Sequence, residues 1–380
     1  MSEVRVNYLS NENNTGGPII SGITTYSARH FFVPPQGDTA SRPSDCEPGS
    51  LRFNTDTAHL EYFRGDTIGW VEIEASSHEI GGGTGSNVGT GTRGFNAGRH
   101  VYEDNIEFIT ISTLGDSQDF GDLTSGRYSL GNLVGSNSRM VFAGGYYVNV
   151  IDFWTAQSLG NATDFGDLTT PRQQMSGCND KIRGIWAGGR GPGHAAENTM
   201  DYVTIQSTGN AVDFGDLNSQ KTVTASCSSS TRGIWNYDAG PVAEMRFVNI
   251  RSTGNTTDFG DGYGDREMNG GQSSSTRGMW AGNYASSNLI SFITMATEGD
   301  TTDFGDLTQG RYNFTGMSSP TRSVFSAGTY YDSGFIRPNT MDYVEIATTG
   351  NAKDFGDMAY TTDVTGLPAG GSNGHGGLSG

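Results

Sequence analysis

Short apolar runs of five to seven residues, aromatic or β-branched and bounded by Gly, Asn, Asp and Ser, recur along most of this chain. Runs of that length between turn formers predict strands rather than helices. The clearest are 106–111, 150–155, 200–205, 245–250, 289–295 and 341–346. Each leads into a turn such as Gly209-Asn210 or Gly254-Asn255, where residues tolerant of positive φ are favoured, and then into the tetrapeptide Asp-Phe-Gly-Asp. Strand, turn and tetrapeptide together read as a β-hairpin.

The tetrapeptide begins at Asp119, Asp164, Asp213, Asp258, Asp303 and Asp354, at intervals of 45, 49, 45, 45 and 51 residues. A period of this size with strand-like content points to the blades of a β-propeller. Two further strands complete each unit. One opens with Arg and carries an aromatic, as in 139–145, 183–189 and 277–282. The other follows the motif, where Arg127, Arg172, Lys221, Arg266 and Arg311 stand five places after its last Asp. From the aromatic of the hairpin strand to the motif Phe the distance is always 12 residues. From the Arg of the second strand to that aromatic it is 15, 14, 19, 15, 15 and 21. One loop per unit varies while the rest is constant.

The first unit, with its Arg strand at 92–98, lacks a preceding strand, whereas 361–367 reads as a lone strand after the last motif. In a ring the second would complete the first and remove both open edges. The fold expected is all-β: a six-bladed kelch-like β-propeller over 92–367 with a small N-terminal β module. Residues 81–91 form a Gly/Ser-rich hinge and 368–380 a flexible tail. Within the module (1–80), residues 48–57, 59–63 and 69–73 predict a three-stranded meander. The alternation of Leu51 with Phe53 and of Leu60 with Tyr62 marks its buried face. Arg64-Gly65-Asp66 reads as a hairpin turn rather than a receptor motif.

Composition narrows the function. A net charge of −18 repels phosphate backbones, so no nucleic acid is expected as a partner. No stretch approaches the length of a membrane span, and the polar start of the chain has no secretory h-region. Cys46, Cys178 and Cys227 have neither disulfide nor metal spacing. Cys178 and Cys227 each fall 11 residues after a motif, and predict small buried positions near an axis.

Six paired carboxylates on an acidic chain would suit Ca²⁺. The architectural alternative, with Phe packed between blades and Asp capping turns or pairing with the repeated arginines, is preferred because Ca²⁺ needs 6–8 oxygens. A kinase reading of Asp-Phe-Gly fails for want of its partner motifs. No catalytic or cofactor motif is present, so neither an enzymatic activity nor a cofactor is expected, and His194 with Glu197 reads as chance adjacency. The variable loops are the better candidates. Tyr146, Tyr147, Arg190, His194, Tyr237, Tyr284, Tyr330, Tyr331 and Phe335 lie on or beside them, among small polar residues suited to glycan or protein contacts.

Gly144-Gly145 and Gly188-Gly189 stand where a kelch blade has its double glycine, and Tyr202 and Tyr343 where it has its tyrosine. Over residues 91–367 the chain thus resembles the kelch family, with the motif Phe in place of the usual tryptophan. The units also resemble repeats of structural proteins of marine, cyanophage-like tailed bacteriophages, and residues 48–73 resemble a small β motif of phage tail fibres. The resemblance implies a virion structural protein: a tail fibre, tail-tip or nozzle component, or a capsid appendage. Its module would dock onto other virion proteins, and its propeller would assemble as a homo-oligomer or bind a host-surface glycan or protein. An envelope-polysaccharide-degrading enzyme and a soluble kelch-type lectin or adaptor are the alternatives.

Overall fold

A computed structural model describes residues 34–57, 59–73, 92–98, 103–127, 131–223, 225–238, 243–262, 269–283, 287–359 and 368–378. The protein is all-β among these residues, apart from two single-turn 3₁₀ segments, and divides into two compact units, Met1–Ser77 and His78–Gly380. The hinge 81–91 and the expected closing strand 361–367 lie outside the described residues.

The smaller unit holds the expected meander, Leu51–Asn54, His59–Phe63 and Trp70–Glu72, joined by a short parallel strand Gln36–Gly37. Arg64 opens the tight turn between the last two strands, its amide bonded to the Gly69 carbonyl at 2.9 Å. The burial of the faces is the reverse of the expectation. Arg52, Asn54 and Glu61 are buried, whereas Leu51 and Leu60 are exposed and Phe53 and Tyr62 half-buried. The cause is the segment 38–46, which folds over the polar face. Arg42 donates to Glu61 Oε2 at 2.6 Å, and the Arg52 guanidinium lies 3.5 Å from Oε1. Hydrogen bonding to Arg42 holds the Glu61 carboxyl below its usual range.

Among the described residues the larger unit contains six sheets of four or five strands, one per repeat, and one two-stranded hairpin. Sheets three to six each order their four strands as in the chain: inner strand, Arg strand, aromatic strand, motif strand. In repeat three these are Ser176–Asn179, Arg183–Ala187, Glu197–Thr204 and Val212–Lys221; in repeat six, Thr315–Ser318, Arg322–Ser326, Thr340–Glu345 and Lys353–Asp357. Each predicted aromatic run is found as a strand within a few residues of its expected bounds. The first sheet takes its inner strand from the other end of the chain. Ala369–Ser372 pairs antiparallel with Arg93–Ala97, in the register Ala369 to Ala97.

The expected flexible tail is therefore structural, and the chain supplies this strand later than expected. Chemistry explains the misreading. Inner strands elsewhere read Ser-Gly-Cys-Asn, Ala-Ser-Cys-Ser and Thr-Gly-Met-Ser, and Ala369-Gly370-Gly371-Ser372 is the same kind of small-residue strand. A Cβ on Gly370 would come 2.3 Å from Thr315 Oγ1, so the strand needs a glycine at that place.

Burial follows the order of the sheets. Six apolar clusters each lie between consecutive sheets, with Trp154, Trp186, Trp235 and Trp280 fully buried in the first four. The fifth joins sheets five and six. The sixth places Ile109 and Ile111 of the first repeat against Val324, Met341 and Phe355 of the last.

Candidate binding face

The repeated tetrapeptide occupies the outermost strand of every sheet. Its Phe is buried and meets the aromatic of the neighbouring strand edge-on, with centroids 5.7–6.0 Å apart in all six repeats. The guanidinium of the Arg strand lies 4.3–4.9 Å over that second ring. A cation held on a ring face contributes about 0.5–2 kcal/mol. The same guanidinium then reaches into the next repeat. Arg93 donates to the Ala156 carbonyl at 2.9 Å, Arg139 to Ile205 at 3.0 Å, Arg183 to Ile250 at 3.0 Å and Arg232 to Met295 at 3.2 Å. Arg277 donates to Ile346 at 2.7 Å, and Arg322 to Ile111, in the first repeat, at 3.0 Å.

The Gly of the motif serves the same joint. Gly166, at φ 146°, lets the chain approach until a Cβ there would stand 2.5 Å from the Gly209 carbonyl oxygen. Across that gap the Gly209 amide donates to the Phe165 carbonyl at 2.8 Å and the Ala211 amide to Asp167 at 2.7 Å. The Asn210 side chain accepts from the Asp167 amide at 3.1 Å. Thus the turn of the next repeat caps the motif, the reverse of the expected role for its aspartates.

Asp119, Asp164, Asp213, Asp258, Asp303 and Asp354 are exposed, with Asp258 lying 3.9 Å from Arg246. The buried arginines that follow the motif pair instead with carboxylates of the aromatic strand. Arg127 meets Asp152 at 2.7 Å, Arg172 meets Asp201 at 2.5 Å and Arg311 meets Asp342 at 2.7 Å. Each Asp also accepts from a Thr hydroxyl, of Thr124, Thr169 or Thr308. Sequence reasoning singled out these arginines and missed their partners. A clue was available: the one place where the basic residue after the motif is Lys221 instead of Arg is followed by a strand that carries Arg246 in place of that Asp.

The space between the inner strands is filled. Asn132 reaches across it, donating to the carbonyls of Ser226 at 2.6 Å and Gly271 at 2.9 Å. Hydroxyls link the inner strands in series: Ser273 donates to the Ser228 carbonyl, Ser318 to Ser273, and Ser372 to Ser318. The turn Gly376–Leu378 crosses one end, where a Cβ on Gly376 would stand 2.1 Å from the Ser274 carbonyl oxygen. About 20 Å³ of space remains, lined by His375, Ser226 and Ser318 among others. That is room for about one water. Cys178 and Cys227 lie on these inner strands, free and buried, and burial pushes the Cys178 thiol up to about 12.

The variable loops leave the sheets at the end opposite that turn. Tyr146 is exposed and its ring lies tilted against that of Tyr147, centroids 4.7 Å apart, and the Tyr147 hydroxyl lies 2.5 Å from His194 Nδ1 of the next repeat. Both Tyr147 and His194 hold positive φ, 57° and 66°. Arg190 is exposed on a backbone fixed by two hydrogen bonds to Gln173. Tyr330–Tyr331 and Phe335–Ile336 form a two-stranded hairpin. Its Tyr331 and Phe335, 67% and 64% exposed, meet edge-on at 5.6 Å.

Tyr237 is a correction: it is fully buried, donates to Asn218 Oδ1 at 2.6 Å, and its phenol is pushed up by burial. The Arg strand of repeat four runs on to Asp238, so its alternation carries Tyr237 inward with Trp235. Tyr284 lies outside the described residues. Among the described residues, no group of three or more His, Cys, Asp or Glu is placed to hold a metal ion, and no helix is long and apolar enough to cross a membrane.

No protein-family model matches this chain, and no curated protein matches it.

Proposed function

We propose that the six sheets are the blades of a closed, kelch-like β-propeller and that the protein is a non-enzymatic structural component of a tailed-phage virion. It presents the variable-loop face to a host-surface glycan or protein, or to neighbouring subunits. Closure is supported by the arginine series that passes from repeat to repeat and returns from Arg322 to Ile111. The observation that carries the functional reading is a contrast. The axis keeps about 20 Å³, too little for a metabolite, while Tyr146, Tyr331 and Phe335 stand exposed on loops that vary in length. The exposed loops rather than the axis are therefore the better place for a binding surface. The virion assignment rests on the resemblance of the repeats and of the N-terminal meander. On this reading the module joins the particle, the protein assembles as a homo-oligomer there, and it requires no cofactor.

Mass spectrometry of purified particles tests the assignment: the protein is expected among the virion components, and its absence from infectious particles overturns it. Binding of fluorescent protein to host cells, compared with a Tyr331→Ser/Phe335→Ser variant, tests the face.

A further inference from the structure

We infer that the long loops of repeats three and six are the two ends of one binding site, whose ligand is an extended, uncharged carbohydrate chain lying across the variable-loop face. These repeats have the longest spacings from the Arg strand to the following aromatic, 19 and 21 residues, and stand three repeats apart. In the closed ring of six proposed above, they lie on opposite sides of that face.

Both loops are built alike. In each, the residue after a fully buried arginine, Arg172 or Arg311, is bridged to the start of the loop. Gln173 exchanges two backbone hydrogen bonds with Arg190, at 3.0 and 2.8 Å, and Tyr312 exchanges two with Thr329, at 2.9 and 2.8 Å. Among the described residues, this brace occurs in these two repeats. Backbone strain gathers at the same places. Six described residues other than glycine hold positive φ: Tyr147, Gln174 and His194 around the loop of repeat three, and Asn313, Ala327 and Ser333 around that of repeat six. A residue with a Cβ enters this region at a cost in stability, and such strain collects where a structure is held in shape for a ligand. Each long loop is therefore fixed before anything binds, which spares the entropy of ordering it on contact.

The groups these loops carry suit a sugar. Tyr331 and Phe335 stand exposed at one end, and the negative face of an aromatic ring attracts the C–H face of a pyranose. At the other end Tyr147 is bonded to His194 through Nδ1, and Arg190 is exposed on the same loop. The second ring nitrogen of His194, Nε2, donates in one tautomer and accepts in the other, and a sugar hydroxyl answers either. A protein partner fits less well. Its binding energy would concentrate in a central apolar cluster, whereas these aromatics sit at opposite sides of the face, where a long, thin ligand touches both. The net charge of −18 repels polyanions, which leaves an uncharged chain. The inference rests on the closure and the glycan part of the proposed function, and names the ligand class and the residues that meet it.

A printed array of microbial polysaccharides, probed with fluorescent full-length protein, is the first test. Wild type should be retained on at least one uncharged polymer. In calorimetric titrations with size fractions of that polymer, affinity per repeating unit should be about tenfold tighter or more for chains that span both loops than for di- and trisaccharides. Tyr331→Ser/Phe335→Ser, and separately His194→Asn, which keeps a residue tolerant of positive φ, should melt as wild type and bind the polymer no better than the fragments. On the unaltered chain, hydroxyl-radical footprinting should show Tyr147 and His194 protected by the polymer together with Tyr331 and Phe335.

Retention of no polymer or of anionic polymers only, affinity independent of chain length, a variant that binds as wild type, or protection of one loop alone would each overturn the inference. Host-cell binding without retention of any uncharged polysaccharide overturns this site and leaves the virion reading standing. Length-dependent polysaccharide binding by a protein absent from particles does the reverse.

Discussion

Replacing Gly166 with alanine, beside the same change at Gly209, isolates the joint between two repeats. Both glycines hold nearly the same backbone conformation, φ 146° and 152°. Each substitution therefore carries the same strain, about 1–3 kcal/mol for a non-glycine residue in such a region. They differ in what the new methyl meets. At Gly209 it finds nothing within 4 Å, whereas at Gly166 it would stand 2.5 Å from the Gly209 carbonyl oxygen. The atoms it would meet are main chain, so the motif strand and the turn of the next repeat must separate. Three hydrogen bonds span that gap, at 2.7, 2.8 and 3.1 Å. At about 0.5–1.5 kcal/mol each, loss of one or two adds roughly 0.5–3 kcal/mol. Gly166→Ala should thus be destabilised beyond Gly209→Ala by that amount, a further drop of several degrees in melting temperature at about 2–4 °C per kcal/mol. Thermal unfolding followed by circular dichroism, with urea midpoints as a check, measures the difference. Equal losses, or a larger loss at Gly209, would refute the assignment of the motif glycine to the joint.

Other outcomes follow from the same geometry. Deleting residues 368–380 removes the inner strand of the first sheet and should lower the melting temperature by ten degrees or more; an unchanged melt would show that Ala369–Ser372 closes nothing. Arg172→Met leaves Asp201 buried without its cation and should cost about 3–5 kcal/mol, with Arg172→Met/Asp201→Leu recovering much of the loss in urea unfolding. Burial holds His375 down to about 4 against 6.5, so the unfolded chain binds the extra proton between those values. That contribution is complete above pH 6.5 and is lost as pH falls toward 4, up to about 3 kcal/mol. The stability difference between wild type and His375→Gln, measured at pH 7 and pH 4.5, should shift accordingly. In native protein Cys46 should react with a thiol reagent while Cys178 and Cys227 react only on unfolding, as a time course with Ellman's reagent would show.

The repeat was legible because its spacing is set by rigid pairs. The aromatic and the motif Phe lie 12 residues apart and touch in all six copies, so the sequence carries that contact directly. What escaped were features fixed by neighbours distant in the chain. Gly370 and Gly371 look like linker until they are seen against Thr315 and Leu133. Leu51 and Leu60 alternate as a core face should, yet Arg42 draws the opposite side inward, and no periodicity records that choice. Tyr237 fell inside because its strand is longer in one repeat. The contact of Tyr147 with His194 joins loops 47 residues apart and has no local signature.

The pairing of Arg93–Ala97 with Ala369–Ser372 also sets an order of events in biosynthesis. The Arg93 amide is satisfied by the Asn373 side chain, 280 residues further along. At a translation rate of about 5–20 residues per second, the first sheet waits roughly 15–60 s on the ribosome with its inner edge unpaired. Repeats two to five can form as they emerge, because each meets its neighbour soon after synthesis. The first and last must then find each other in one late, long-range step, slow for its loop-closure entropy and exposed meanwhile to exchange with another nascent chain. Crowded synthesis on one messenger would therefore favour strand-exchanged products joined through the first sheet.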